Sequence, residues 1–220
     1  CLEKRREDRH QSAHDLAVAL EDLLERGSTA SALREVEERS PYPGLSSFSE
    51  EDAGRFFGRE DEVAALWAKL RGRRLLAVIG PSGAGKSSFV RAGVVASRPE
   101  GWAAIVATPG AAPLRGLGQA LAPQLAHDPE ALRKLLTFDD PEVAFELLSR
   151  WRRGQDETLV VVDQFEELFT LCENETDRRA FLDNLVTALG AGIPLTVVIA
   201  LRADFYAHCG QYPALREALG

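Results

Sequence analysis

An apolar run that leads into a glycine-rich loop and then a helix constrains this chain more than any other feature. Residues 75–79 read Leu-Leu-Ala-Val-Ile, the next eight match the pattern G-x-x-x-x-G-K-[ST], and helix-compatible residues begin at Ser88. Glycines let consecutive backbone N–H groups point into one concavity, and the helix N-terminus adds partial positive charge. The pattern predicts a phosphate-binding loop in which Lys86 reaches the β- and γ-phosphates and the Ser87 hydroxyl holds Mg²⁺; the alternative is a glycine-rich turn without a ligand. The loop residues are Gly80, Pro81, Ser82, Gly83, Ala84, Gly85, Lys86 and Ser87.

The composition limits the classes of protein to be considered. The chain has 220 residues, 45% of them hydrophobic, and a formal net charge of −8. It can bury one sizeable core, and its charge argues against a nucleic-acid partner. No apolar run approaches the roughly 20 residues of a membrane span, and no signal peptide is expected. Cys1, Cys172 and Cys209 lack metal-ligand spacing, so reduced thiols in a cytoplasmic protein are expected. The absence of methionine and the start at Cys1 predict a fragment of a longer protein.

Apolar runs alternate with helical patterns along most of the chain. This alternation predicts an α/β fold with a parallel sheet covered by helices on both sides. Ligands bind such sheets at the carboxyl ends of the strands. The phosphate loop, Asp163 and Arg202 all follow predicted strand ends, so they are expected to meet at one edge. Strands are predicted at about 74–79, 102–107, 158–162 and 195–201, and helices at about 113–126, 129–137, 141–153 and 175–190.

Charged residues at the predicted strand ends supply the candidate chemistry. Asp163 ends an apolar strand, as a Walker B aspartate does, and is expected to bind the Mg²⁺ held by Ser87. Glu166 and Glu167 are candidates for the base that positions a water, and the sequence does not choose between them. Arg202 is a candidate γ-phosphate sensor, because a guanidinium reads phosphate oxygens well.

Each of these residues also has a purely structural interpretation. Asp163 would then be a turn residue at a strand end, and the two glutamates would be solvated acids on a helix turn. Arg202 would form an ion pair with Asp204 or another neighbour.

The first forty residues have a different character from the rest. Residues 1–26 predict an amphipathic helix that stops at Gly27, and residues 27–40 are polar and linker-like. This region resembles the last helices of a bacterial Ser/Thr protein kinase C-lobe. The resemblance lies in Cys1-Leu2-Glu3-Lys4, Glu7-Asp8-Arg9, Gln11-Ser12-Ala13 and Asp15-Leu16. The resemblance implies the remnant of an upstream kinase domain without its catalytic motifs; the alternative is a lone amphipathic helix.

Four stretches resemble the novel STAND NTPase domain of bacterial multidomain signalling proteins, over about residues 41–220. The resemblance implies a three-layer P-loop NTPase sandwich of the additional-strand class, with a five-stranded, mainly parallel sheet, and ATP or ADP as the nucleotide. It assigns Gly58 and Arg59 to a nucleotide-binding entry motif, Ser88 to the phosphate loop and Arg202 to the sensor position. The stretches are Pro41-Tyr42-Pro43-Gly44-Leu45, Phe56-Phe57-Gly58-Arg59-Glu60, Gly80 to Ser88, and Val162-Asp163-Gln164-Phe165-Glu166-Glu167-Leu168-Phe169.

The resemblance further implies a switch within a larger protein. Such proteins often carry an effector, for example a protein kinase, before this domain and sensor repeats after it. ADP favours a closed state, and ATP with an input signal favours an open, often homo-oligomeric one. Many ATPases of the class carry Glu directly after the Walker B Asp, where this chain has Gln164. This departure implies slow turnover or a water held by Glu166 or Glu167.

Three functions follow from these patterns. The leading interpretation is an ATP-binding, Mg²⁺-dependent signalling ATPase. A nucleotide-bound regulatory scaffold with little hydrolysis is the alternative, motivated by Gln164. A small-molecule phosphotransferase is disfavoured, because the sequence between Lys86 and Asp163 contains no arginine-rich acceptor lid.

Overall fold

The computed structural model describes residues 46–135, 141–153, 155–190 and 194–220, all within one compact unit, Leu45–Gly220. The helix predicted in residues 1–26, the linker predicted at 27–40 and the Pro-Tyr-Pro-Gly-Leu stretch at 41–45 lie outside the described residues. In the described part of the chain, no helix is long and apolar enough to span a membrane.

Helices and strands alternate as the sequence pattern predicts. Three of the predicted helices begin at Pro113, Pro129 and Pro141, and the fixed φ of proline suits a first helical turn. In chain order the elements are a 3₁₀ helix (Glu50–Arg55), α1 (Glu60–Leu70), β1 (Leu75–Gly80), α2 (Lys86–Ser88) continued by a π-helix (Phe89–Val95), β2 (Trp102–Ala107), α3 (Pro113–Leu121), a 3₁₀ helix (Ala122–Leu125), α4 (Pro129–Leu135), α5 (Pro141–Arg152), β3 (Glu157–Val162), α6 (Glu167–Thr170), α7 (Glu175–Gly190), β4 (Leu195–Arg202), a 3₁₀ helix (Ala203–Phe205), α8 (Tyr206–Cys209) and α9 (Pro213–Leu219).

The strands form one parallel sheet in the order β1-β4-β3-β2. An additional strand, β4, therefore separates the strand that carries the glycine-rich loop from the strand that ends before Asp163. The register pairs Gly80 with Arg202 and Ala107 with Val162. Because all strands run the same way, the loop, Asp163 and Arg202 emerge at the same edge, as predicted.

The number of strands differs from the resemblance-based expectation. Within the described residues the sheet has four strands rather than five. The residues after β4 build short helices instead of a further strand. Tyr212 caps α9 in an extended conformation, Pro213 begins it, and Leu215 on its inner face is fully buried. Alanine, leucine, arginine and glutamate, which make up the rest of α9, all favour a helix.

Helices cover both faces of the sheet and so confirm the predicted α/β sandwich. Alternate residues of β3 belong to opposite cores: Val160 and Val162 pack on the side of α3, α5 and α7, whereas Leu159 and Val161 pack on the side of α1 and the π-helix. Successive side chains of a strand point to opposite faces, so a continuous apolar run is what a doubly covered strand requires.

Candidate functional site

The glycine-rich loop connects β1 to α2 and takes the shape of a phosphate-binding loop. Gly83 and Gly85 both have φ of +74°, a left-handed conformation that other residues adopt at a cost. Gly85 caps α2, and the Phe89 N–H closes onto the Gly85 carbonyl at 2.8 Å. The first N–H groups of this helix are therefore turned toward the loop.

A cavity of about 350 Å³ opens beside this loop, within the range of small-molecule sites. It gathers residues from four separate parts of the chain, which include the segments that follow β1 and β3 and the end of β4 but not that of β2. The lining residues are Ser46, Ser47, Ser82, Gly83, Gly85, Lys86, Ser87, Ser88, Asp163, Gln164, Glu166 and Arg202.

The Lys86 ammonium lies over the loop. Its Nζ donates to the Gly80 carbonyl at 3.1 Å and to the Pro81 carbonyl at 2.8 Å. Gly80, Pro81 and Ala84, which were also predicted to bind the nucleotide, do not line the cavity; the first two instead hold Lys86 through their carbonyls. Both of these acceptors are neutral carbonyl groups, so neither contact compensates the positive charge of Lys86.

Asp163 and Ser87 place oxygen atoms together at the cavity wall. The Ser87 hydroxyl donates to Asp163 Oδ1 at 2.9 Å, and the Gln164 N–H donates to the same oxygen at 3.0 Å. Asp163 is only 1% exposed. The described residues contain no group of three or more His, Cys, Asp or Glu side chains suited to a metal. One carboxylate and one hydroxyl fit Mg²⁺, which favours oxygen ligands and takes the rest of its shell from phosphates and water.

Arg91 is a site neighbour that the sequence analysis did not assign. Its Nε–H donates to Asp163 Oδ2 at 3.0 Å, so the two carboxylate oxygens have different partners. Arg91 does not line the cavity. The spacing offers a signal for it, because Arg91 lies four residues after Ser87 and residues at that spacing share a helix face.

Glu166 and Glu167, which the sequence could not distinguish, point to different places. Glu166 lines the cavity, and its Oε2 accepts a hydrogen bond from the Arg202 backbone N–H at 3.1 Å. Glu167 Oε2 instead accepts from the Gly110 N–H at 3.0 Å, and Glu167 is not among the lining residues. Burial raises the pKa of Glu167, and the neighbouring carboxylates of Glu166 and Asp163 raise it further. Glu166 is therefore the glutamate with access to a ligand in the cavity.

Gln164 occupies a strained backbone position beside the cavity. Its φ is +53°, and among the residues that the structure describes it is the one non-glycine residue with a positive φ. Its neighbours hold this turn: the Phe165 N–H donates to the Ala200 carbonyl at 2.9 Å, and the Phe165 ring is fully buried. Strain of this kind persists where the surrounding structure fixes it, often at a functional site.

Arg202 lines the cavity but is already paired. Its Nε and Nη2 donate to the two Asp204 oxygens at 3.2 and 2.6 Å. These hydrogen bonds lower the pKa of Asp204. The ion pair with Asp204 that the structural interpretation of Arg202 predicts is therefore present. The guanidinium is nevertheless partly exposed, and Arg202 also lines the cavity.

The predicted entry motif lies on the outer side of the loop. Arg59 pairs with Glu62, stacks over the Phe89 ring at 4.6 Å and reaches the Ala84 carbonyl at 3.4 Å. Neither Gly58 nor Arg59 lines the cavity. Arg59 instead lines a neighbouring groove of about 460 Å³ between α1 and the π-helix.

The segment that precedes the first 3₁₀ helix also reaches the site. Ser46 and Ser47 line the cavity, and the Phe48 N–H donates to the Ser88 hydroxyl oxygen at 3.1 Å. The sequence analysis did not assign these two serines. Only their position directly after the Pro-Tyr-Pro-Gly-Leu stretch could have indicated them.

Comparisons with known proteins bear on the fold and the family. The Walker-type ATPase paby2304 of Pyrococcus abyssi has a TM-score of 0.54 and 18% identity, over 73% of this chain and 49% of that chain. At so low an identity the structural similarity supports only a shared fold. The chain spans about half the length of that ATPase. The E. coli MS115-1 HORMA:CdnC:Trip13 complex is more distant, with a TM-score of 0.44 and 14% identity over 80% of this chain and 65% of that chain. No curated protein matches. A model of the Novel STAND NTPase 1 family matches residues 41–220, and the chain therefore belongs to that family.

Proposed function

We propose that this domain is a Mg²⁺-dependent ATPase switch that binds ATP and ADP as part of a larger signalling protein. One observation carries the proposal: Lys86, Ser87, Asp163 and Glu166 surround a single cavity at the carboxyl edge of the sheet. Family membership supports nucleotide binding in general. The choice of ATP, the metal dependence and the switching role are inferences from the site and from the sequence resemblance.

Each residue around the cavity has a role in this proposal. The loop N–H groups and Lys86 bind the phosphates, and Lys86 exchanges its carbonyl partners for phosphate oxygens. Ser87 and Asp163 hold the magnesium ion, which neutralises phosphate charge when bound. Glu166 orients the attacking water from its anchor on the Arg202 N–H. Glu167, bound to Gly110, supports the wall from behind.

Arg202 is the proposed γ-phosphate sensor. Its guanidinium pairs with Asp204 at the surface, where an ion pair contributes little stability. Exchange of that partner for a phosphate oxygen therefore costs little, and a guanidinium binds phosphate through two parallel hydrogen bonds. Such an exchange at the end of β4 would distinguish ATP from ADP.

The wider architecture remains part of the proposal. The kinase-like stretch in residues 1–26 supports an upstream kinase domain, and the family resemblance supports downstream sensor repeats and an oligomeric active state. In this arrangement, nucleotide exchange changes the relative stability of closed and open states because the two states bind ATP and ADP with different affinities.

Lys86→Ala tests nucleotide binding at this cavity. The variant should lose measurable affinity for Mg²⁺-ATP in a calorimetric titration, because it removes the cation that contacts the phosphates. Lys69→Ala is the matched control, since Lys69 is an exposed lysine at the far end of α1. Equal ATP affinity of Lys86→Ala and the parent would refute the proposed site.

A scaffold that binds nucleotide with little hydrolysis is the second candidate. The observation that favours it is Gln164, which follows Asp163 in a strained conformation and faces the cavity. Single-turnover hydrolysis separates the two functions. The ATPase proposal expects Glu166→Gln to lower the rate by a factor of about 100 or more, as for loss of a general base, and Glu167→Gln to change it far less. A parent protein that binds ATP but shows no turnover would establish the scaffold instead.

A further inference from the structure

Asp163 lines the cavity but is almost completely buried. The side chain is 1% exposed and belongs to the end of a strand that is buried on both faces. A buried carboxylate is costly unless it is paired and hydrogen-bonded. Arg91 supplies the ion pair, with its Nε 3.0 Å from Asp163 Oδ2.

The partners of Asp163 divide between its two oxygens. Oδ1 accepts from the Ser87 hydroxyl and the Gln164 N–H, and Oδ2 accepts from Arg91. Asp163 lines the cavity and Arg91 does not, so Arg91 reaches a ligand in the cavity only through Asp163. The guanidinium therefore fixes the rotation of the carboxylate and keeps Oδ1 beside Ser87.

The element that carries Arg91 is suited to hold it in place. Arg91 follows Ser87 by four residues on the helix that begins at the phosphate loop, and it lies in the π-helical part. Val90 and Ala92, its neighbours in sequence, are both buried in the core. A residue anchored in this way can orient another side chain without touching the ligand itself. π-helical turns frequently occur at functional sites.

We infer that Arg91 is a positioning residue that orients Asp163 for Mg²⁺-nucleotide and thereby sets the metal-dependent part of the affinity. The inference rests on the proposed function. Arg91 acts only through Asp163, so it should leave metal-free nucleotide binding by the loop and Lys86 almost unchanged. Partners that orient a metal ligand typically change metal affinity by about 10- to 100-fold.

The test compares the affinity for a fluorescent ATP analogue in EDTA with the affinity in Mg²⁺. The ratio of the two dissociation constants is the magnesium enhancement. Arg91→Met should reduce this enhancement by about tenfold or more and change the dissociation constant in EDTA by less than about twofold. Arg98→Met is the control, because Arg98 follows the same helix but pairs with the exposed Glu50. The magnesium enhancement of Arg98→Met should equal that of the parent.

Arg91→Lys is a second variant that tests the same inference if Arg91→Met does not fold. An ammonium still compensates the buried charge but is a point charge that orients a carboxylate less well than a guanidinium. Its enhancement should fall severalfold, between the parent and Arg91→Met. An unchanged or increased enhancement in Arg91→Lys or Arg91→Met would overturn the inference, as would an equal loss of affinity in EDTA and in Mg²⁺. A parent without any enhancement would refute the proposed metal-dependent function itself, and with it this inference.

Discussion

Gly116 is the position where one added methyl group should destabilise the fold most clearly. It lies in α3, and a Cβ atom there would be 2.2 Å from the Thr108 carbonyl oxygen and 3.2 Å from the Pro109 carbonyl oxygen. Ordinary van der Waals contact begins at 3.4 Å, so the helix and the backbone would have to separate by about 1 Å. Both clashing atoms belong to the backbone, which cannot avoid the methyl group by a change of rotamer.

Neither side of this contact can move freely. α3 packs into the core through Leu114, Leu117 and Leu121, of which Leu121 is fully buried. Thr108 follows Ala107, whose carbonyl accepts the Asp163 N–H at 2.9 Å. Overpacking costs about 1–3 kcal/mol, and the higher helix propensity of alanine returns about 1 kcal/mol. Since the clash is with backbone, we expect Gly116→Ala to lower the free energy of unfolding by about 2 kcal/mol.

Urea denaturation followed by circular dichroism measures this loss. At about 2–4 °C for each kcal/mol in a domain of this size, the melting temperature should fall by about 4–8 °C. Gly54→Ala is the control, because a Cβ at Gly54 would meet nothing within 4 Å, and it should gain about 0.5 kcal/mol. The reasoning is refuted if Gly116→Ala is as stable as Gly54→Ala.

Three further predictions concern residues near the site and in the core. Gln164→Gly should raise the free energy of unfolding by about 0.5 kcal/mol, because relief of the left-handed strain exceeds the entropic cost of glycine; lower stability in urea would contradict this. Burial raises the pKa of Glu167 above its usual 4.5, so the folded state favours the protonated form of this side chain. The parent should therefore lose stability relative to Glu167→Gln as the pH rises from 4.5 through the raised pKa. Urea titrations at a series of pH values should show that the difference in unfolding free energy levels off above that window. Burial also raises the pKa of Cys209 to about 11, and its side chain is 2% exposed. Iodoacetamide at about pH 8 should therefore modify Cys209 only in denaturant, and mass spectrometry that detects the adduct on the native protein would contradict this.

Local sequence patterns were sufficient to predict the layered α/β fold. The run from Leu159 to Val162 is apolar without alternation, which requires cover on both faces, and two separate cores supply it. The number of strands was not fixed locally, because the resemblance implied a fifth strand whereas the residues after β4 form helices up to Leu219.

The candidate site could be predicted only in part. The glycine-rich loop and Asp163 have positions that follow from short-range chemistry: glycines at positive φ, and a polar residue where a buried strand ends. Neighbouring acids such as Glu166 and Glu167 look alike in sequence. Their difference depends on which distant backbone N–H each one meets, and that is a property of packing.

The sequence by itself determined a parallel α/β sheet with a phosphate-binding loop, because strand periodicity and glycine conformation act over a few residues. The tertiary structure decided the partners. It set Gly80 beside Arg202 through strand register, turned Arg91 onto Asp163, and brought Ser46 to the cavity wall. These contacts join segments that are far apart along the chain. A local pattern can therefore point to a candidate residue such as Arg91, but the contact itself depends on how whole elements pack.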